Sequence, residues 1–249
     1  MTTRAAETSP RVRARIAGVL YLISGQAFSF TEFSVRGKLV VNSDAAATAH
    51  NILANETRYR LGFAAELLPL YLVVTFILYD LLKPVNKSLS QLAFVFSIVG
   101  CTISAFNCLL HLAPLVVLRG LNSSTAFTAD QLPALALMFL KLSGEGLNIC
   151  MVFFGFYCFL IGYLIFRSTF LPRIIGALLI IAGLCYLTNS FATFIAPAFA
   201  AHLYPYILIP GIAELLLAFW LLLIGVNAQR WTQQASACLL YTSPSPRDS

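Results

Sequence analysis

Three hydrophobic stretches each place an ionisable side chain three or four positions from a proline: Glu66 with Pro69, His111 with Pro114, and Glu214 with Pro210. A carboxyl or imidazole group in an apolar helix can exchange a proton, bind a cation, or tie one helix to another. At the bilayer centre a carboxylate costs about 2.5–3.5 kcal/mol on insertion scales. A helix-interior proline removes one hydrogen bond and clashes with the carbonyl four residues back, costing about 3 kcal/mol. Three such pairs predict kinked helices around polar ground inside an apolar protein. Irregular backbone is tolerated at membrane depth only where protein or water covers it.

Further polar residues share these stretches: Asn107 on the segment of His111, Glu145 and Asn148 at the start of the next, Asn189 in the one after, and Arg119 at a segment end. Together with Glu66, His111 and Glu214 they form the candidate polar cavity. Each also has a structural reading. Glu66 and Glu214 can join helices in protonated or paired form, with Arg60, Arg119 and His111 as the nearest basic candidates. His111 can be a satisfied packing residue, and Glu145 can face water at a helix start. Glu32 reads as solvated near a segment end, and His50 and His202 as interfacial. No H-E-x-x-H, G-x-S-x-G, phosphate-loop or dinucleotide pattern occurs. The sequence therefore assigns no catalytic residue, metal or cofactor.

These groups are positioned by elements of membrane length. The 249-residue chain is 59% hydrophobic and 10% charged, against roughly 25% charge in soluble domains. Its mean hydropathy is +0.83. A span needs about 20 mostly apolar residues. Six stretches qualify: Ile16–Phe33, Tyr59–Leu82, Leu89–Leu118, Leu147–Phe166, Leu171–Ile195 and Leu203–Asn227. The expected fold is all-α and polytopic, a single transmembrane domain over residues 1–231 with residues 1–10 disordered. Lys and Arg favour the segments that share a side with the N-terminus, from Arg11, Arg13 and Arg15 through Lys83 and Arg167 to Arg230, which predicts both termini in the cytoplasm. The net charge of +6 is spread over helix ends and does not suggest nucleic acid. The first apolar run is long for a secretory signal and reads as a retained helix. On this topology the polar residues concentrate in the outer half, which predicts an outward-facing acidic cavity over an apolar floor.

Asp44 or Ser43 can cap an outer interfacial helix around residues 44–56, with Glu56 four residues before Arg60. Residues 132–142 read as an interfacial helix or an extension of the fourth span, with Gly144 and Gly146 marking a break. Glycines seven apart (Gly18 and Gly25, Gly155 and Gly162, Gly176 and Gly183) mark faces of close helix approach. Five cysteines fall inside spans as small packing residues, and Trp231 reads as an interfacial anchor. Asn55-Glu-Thr and Asn122-Ser-Ser match glycosylation patterns by chance-level motifs. The last twelve residues, from Cys238, look like a translated sequencing adapter and are read as foreign, with the native C-terminus missing.

Several segments resemble a mostly bacterial membrane family catalogued as domain of unknown function 4386. They are Arg15-Ile-Ala-Gly-Val-Leu-Tyr-Leu-Ile23, Asn51-Ile-Leu-Ala-Asn-Glu56, Leu78-Tyr-Asp-Leu-Leu-Lys-Pro-Val85, the stretch from Gly162 to Arg173, and Pro210-Gly-Ile-Ala-Glu-Leu-Leu-Leu-Ala-Phe-Trp-Leu-Leu222. The resemblance implies a multi-helix integral membrane protein of a bacterial cell membrane, and no agreed activity. The functional expectation is binding or translocation of a small cation or an amphipathic solute, with the lipid bilayer as the remaining partner. The alternative is a non-catalytic subunit, sensor or scaffold whose carboxylates serve helix packing.

Overall fold

Arg11, Arg13 and Arg15 give way to the apolar run that begins at Ile16, and Pro10 stands where its missing N–H costs nothing, at the first helical position. From there a helix, α1, runs Pro10–Ser29 in the computed structural model of the chain and passes into a π-helical segment, Phe30–Arg36. The structure describes residues 9–67, 69–120, 127–128, 130–203 and 208–242. The Asn122 sequon and the end of the adapter-like tail lie outside them. The described residues are all-helical and contain no strand.

A short turn of helix, α2 (Gly37–Leu39), leads to α3 (Ala45–Ala54). Asp44 caps α3 by accepting a 2.9 Å hydrogen bond from the Ala47 N–H, which satisfies one of the first-turn donors. The chain then forms α4 (Glu56–Glu66), α5 (Leu70–Leu82), α6 (Lys87–Gly120) and α7 (Gln131–Arg167), followed by α8 (Arg173–Ile195), α9 (Pro197–Leu203), α10 (Leu208–Leu223) and α11 (Ala228–Thr242). Four stretches are long and apolar enough to cross a membrane: Glu56–Leu82, Lys87–Arg119, Gln131–Arg167 and Arg173–Ile195. A fifth arises if α10 and the part of α11 up to Ala237, bent by 102°, are taken as one.

Each proline of the three polar pairs sits differently. Pro69 falls between α4 and α5, beside Glu66 at the end of α4. Pro114 lies inside α6, which continues through it. Pro210 occupies the first turn of α10, where the missing N–H removes no helix bond, so it starts a helix and does not kink one. The break expected at Gly144 and Gly146 is absent, because α7 is one helix of 37 residues. Gly146 instead gives room to a neighbour: a Cβ there would stand 2.4 Å from the Asn107 side-chain oxygen.

The chain divides into two compact units. The first comprises Met1–Leu22, Leu70–Ile98 and Val152–Ser249; the second comprises Ile23–Pro69 and Val99–Met151. Helices α1, α6 and α7 each give a segment to both. In the first unit the core gathers Ala14, Ala17 and Tyr21 of α1, Leu78 and Leu81 of α5, Ile161 and Ile165 of α7, Leu179 of α8, and Leu217 and Leu221 of α10. Here α7 and α8 meet backbone to backbone: a Cβ on Gly162 would stand 2.7 Å from the Gly176 carbonyl, and one on Gly183 would stand 2.6 Å from the Gly155 carbonyl. The two heptad glycine pairs thus face each other. In the second unit the core is Val35, Ile52, Tyr59, Leu115, Leu118, Ala136 and Leu140 with their neighbours.

Candidate functional site

In the second unit, Asn107, Cys108 and His111 follow one another at spacings of one and three on α6. Spacings of three and four keep side chains on one helix face. His111 is fully buried, and its Nδ1 lies 2.7 Å from Oε2 of Glu66, whose side chain is 15% exposed. One proton is shared across that contact: Nδ1 carries it and donates to the carboxylate, or the carboxyl carries it and donates to Nδ1. The Cys108 thiol lies 3.8 Å from the same oxygen and donates to it. The ring of Tyr59, seven residues before Glu66 on α4, meets the His111 ring edge-on with centroids 4.9 Å apart. The Tyr59 hydroxyl donates to the backbone carbonyl of His111.

Among the described residues of this unit, His111 Nε2 and Asn107 Oδ1 are buried without a hydrogen-bond partner, and Arg36 Nε is buried with only its ion pair to Glu32. Buried polar groups are satisfied in the great majority of cases, and an orphan costs about 1–3 kcal/mol. His111 and Asn107 stand four residues apart on α6, so the helix face that carries Glu66's partner also carries two unused polar atoms: Asn107 Oδ1 accepts, and His111 Nε2 accepts when Nδ1 carries the proton and donates otherwise. On the π-helical segment, Glu32 and Arg36 form an ion pair at 3.2 Å, and Arg36 donates to the hydroxyl of Ser143 on α7. Glu32 is therefore paired, against the expectation of a solvated side chain. Thr31, fully buried, donates to the Gly62 carbonyl at 3.1 Å. Isolated π-helical turns are frequent where a helix carries function.

In the first unit a second carboxyl has its own shell. Glu214 of α10 is half-buried. One of its oxygens accepts from the Tyr21 hydroxyl at 3.0 Å, the other from the Tyr186 hydroxyl at 2.8 Å and from the Cys158 thiol at 3.8 Å. Tyr21, Tyr186 and Cys158 come from α1, α8 and α7, so this one group joins four helices. Tyr71 packs edge-on against Tyr21 and Phe154, with centroids 5.5 and 5.2 Å apart.

The sequence-predicted residues thus separate. Glu66, His111 and Asn107 share the second unit and the first two are in contact. Glu145, in the same unit, is exposed on α7, and Asn148 is half-buried there. Arg119 pairs with Glu56 near the start of α4, not with Glu66. Glu214 and half-buried Asn189 belong to the first unit, where Glu214 meets Tyr21, Tyr186 and Cys158. Tyr59, Cys108, Tyr21, Tyr186 and Cys158 were not singled out from the sequence. The first two carried a local signal, seven positions before Glu66 and three before His111. The other three lie 193, 28 and 56 residues from Glu214, and no spacing rule reaches that far. Among the described residues, no group of three or more His, Cys, Asp and Glu side chains is placed to hold a metal ion.

The family described as Domain of unknown function (DUF4386) matches residues 16–225. An uncharacterized protein of Archaeoglobus fulgidus is 29% identical over 148 residues, covering 59% of this chain and 72% of the relative. No solved structure matches the chain.

Proposed function

The chain belongs to the DUF4386 family, and on that premise we propose that it is a multi-pass membrane protein that binds a small cation, or an amphipathic solute coupled to a proton, at the Glu66–His111 centre. The observation that carries this reading is the 2.7 Å contact between a fully buried imidazole and a largely buried carboxyl on two apolar helices. Ionisable residues at membrane depth are rare and mark ion, proton or substrate paths more often than not. The orphaned Nε2 of His111 and Oδ1 of Asn107 are the groups left to meet a ligand or a water.

The proposal includes six spans in a single domain over residues 1–231, with both termini in the cytoplasm of a bacterial cell and the polar centre open to the outside. Four or five spans follow from the helices already described. The sixth is α1, whose 20 residues rise about 30 Å at 1.5 Å per residue, enough for the hydrocarbon core. Ile16, Val19, Ile23 and Phe28 are exposed on it, as lipid-facing side chains would be.

The test is thermal stability of the purified protein with and without sodium or tetraphenylphosphonium. Wild type is expected to show a ligand shift in Tm that Glu66→Gln and His111→Gln both abolish. Ligand shifts retained in both variants overturn the reading. A second reading, a non-catalytic subunit, sensor or scaffold, is favoured by Glu214. Both its oxygens are engaged by protein donors, as a group that only joins helices would be.

A further inference from the structure

The first unit contains a cleft of about 530 Å³, independent of both carboxyl centres. Arg11, on the first turn of α1, and Arg230, on the first turn of α11, line it. Each guanidinium is fixed by one bond to the cleft wall: Arg11 Nε donates to the Ile224 carbonyl at 3.3 Å, and Arg230 Nη1 donates to the Thr169 carbonyl at 3.3 Å. A guanidinium has five N–H donors, so both retain donors beyond these contacts. No acidic residue lines the cleft. Among the described residues no carboxylate pairs with Arg11 or Arg230, while Asp80 is engaged by Arg13 and Lys83. Among the described residues, then, the charge of these two arginines stands without a counter-ion.

Gly225 makes the arrangement possible. Its φ is +75°, and a Cβ there would meet Arg11 Cγ at 3.0 Å. The turn between α10 and α11 so brings Arg11 against the chain that also carries Arg230. The same turn borders apolar surface. Ile224, which lines the cleft, is 47% exposed, and Leu223 and Phe219 on α10 are 66% and 48% exposed. A basic cleft that runs into an exposed apolar helix side fits a molecule with an anionic head and a hydrocarbon body. Arginine presents the planar fork that matches phosphate oxygens, and basic side chains near a membrane surface attract anionic headgroups at about 1 kcal/mol each, or about fivefold in affinity.

We propose that this cleft binds the phosphate of an anionic phospholipid headgroup, with Arg11 and Arg230 on the phosphate oxygens and Ile224, Leu223 and Phe219 along the chain. The test measures Tm of the full chain purified in detergent, with added dioleoyl-phosphatidylglycerol, dioleoyl-phosphatidylcholine or inorganic phosphate. A ligand that binds the folded state raises Tm with its concentration. Phosphatidylglycerol is expected to raise it at lower concentration than phosphatidylcholine does, and inorganic phosphate to leave it unchanged. Arg11→Gln/Arg230→Gln should need at least about fivefold more phosphatidylglycerol for the same shift. Arg230→Gln alone, which leaves the Arg11 contact with Ile224 in place, should show the effect at smaller amplitude. Lys38→Gln/Arg58→Gln, an equal charge loss at exposed positions of the other unit, should behave as wild type. Equal response to the two lipids, an unchanged preference in both arginine variants, or an equal loss in the charge-matched control overturns the proposal. An arginine-dependent shift with inorganic phosphate also overturns it, and gives the site to a soluble phosphate instead.

Discussion

Glu214 and Glu66 are both carboxyls in apolar helices, yet their shells differ in kind. Glu214 accepts from two tyrosine hydroxyls and a thiol, which leaves little unmet. Removing it takes the acceptor from the half-buried Tyr186 hydroxyl and one partner from buried Tyr21, losses of about 1–3 kcal/mol each. Glu214→Ala should therefore lower stability by about 2–4 kcal/mol in detergent. Glu214→Gln should cost less, because the amide oxygen accepts from one hydroxyl and the other can turn to accept from the amide N–H. Thermal unfolding of the two variants checks the order; equal loss would show that charge, and not hydrogen bonding, holds the four helices. Tyr59→Phe removes the hydroxyl that caps the His111 carbonyl and should cost about 1 kcal/mol, read as a lower Tm with the helical circular dichroism unchanged.

At the scale of elements, helix contact depends on where Cβ atoms are missing. The spacing of Gly155, Gly162, Gly176 and Gly183 was legible in the sequence as two close faces; that α7 and α8 put those faces against each other was not. Gly176→Ala would place a Cβ 2.5 Å from the Phe166 backbone nitrogen, which no side-chain motion relieves, so about 1–3 kcal/mol should be lost. Gly144→Ala meets nothing within 4 Å and should be neutral or stabilising by up to about 1 kcal/mol, since alanine favours helix. The pair of variants, compared by Tm, separates packing from propensity. The expectation of a break near Gly144 failed for the same reason. A glycine weakens a helix locally, but Lys141–Leu147 lies within 37 continuous helical residues whose burial in part against Asn107 and its neighbours outweighs that penalty.

At the scale of the whole molecule, the proposed topology has a direct check. Reporter fusions after Trp231 and in the Lys83–Ser88 turn should both report the cytoplasm, and a fusion near Asn42 the outside; a fusion after Trp231 on the opposite side would remove one span from the six. The same comparison bears on α10 and α11, because the 102° bend between them leaves α11 off the line of the last span.

Composition and periodicity by themselves determined that the chain is helical and apolar at membrane length, because these properties are summed over many residues and survive any single error; its place in the DUF4386 family came from the resemblance of particular segments and from the family match over residues 16–225. Local motifs likewise pointed to a cap at Ser43 or Asp44, of which the structure uses Asp44, and to the Glu56–Arg60 pair, both local hydrogen bonds within four residues. Which polar groups meet was decided by the tertiary structure alone. Glu66 finds His111 across 45 residues and Glu214 finds Tyr21 across 193, and such partners are chosen by which helix faces pack, a matter of shape and of small residues at the contacts that no spacing along the chain records.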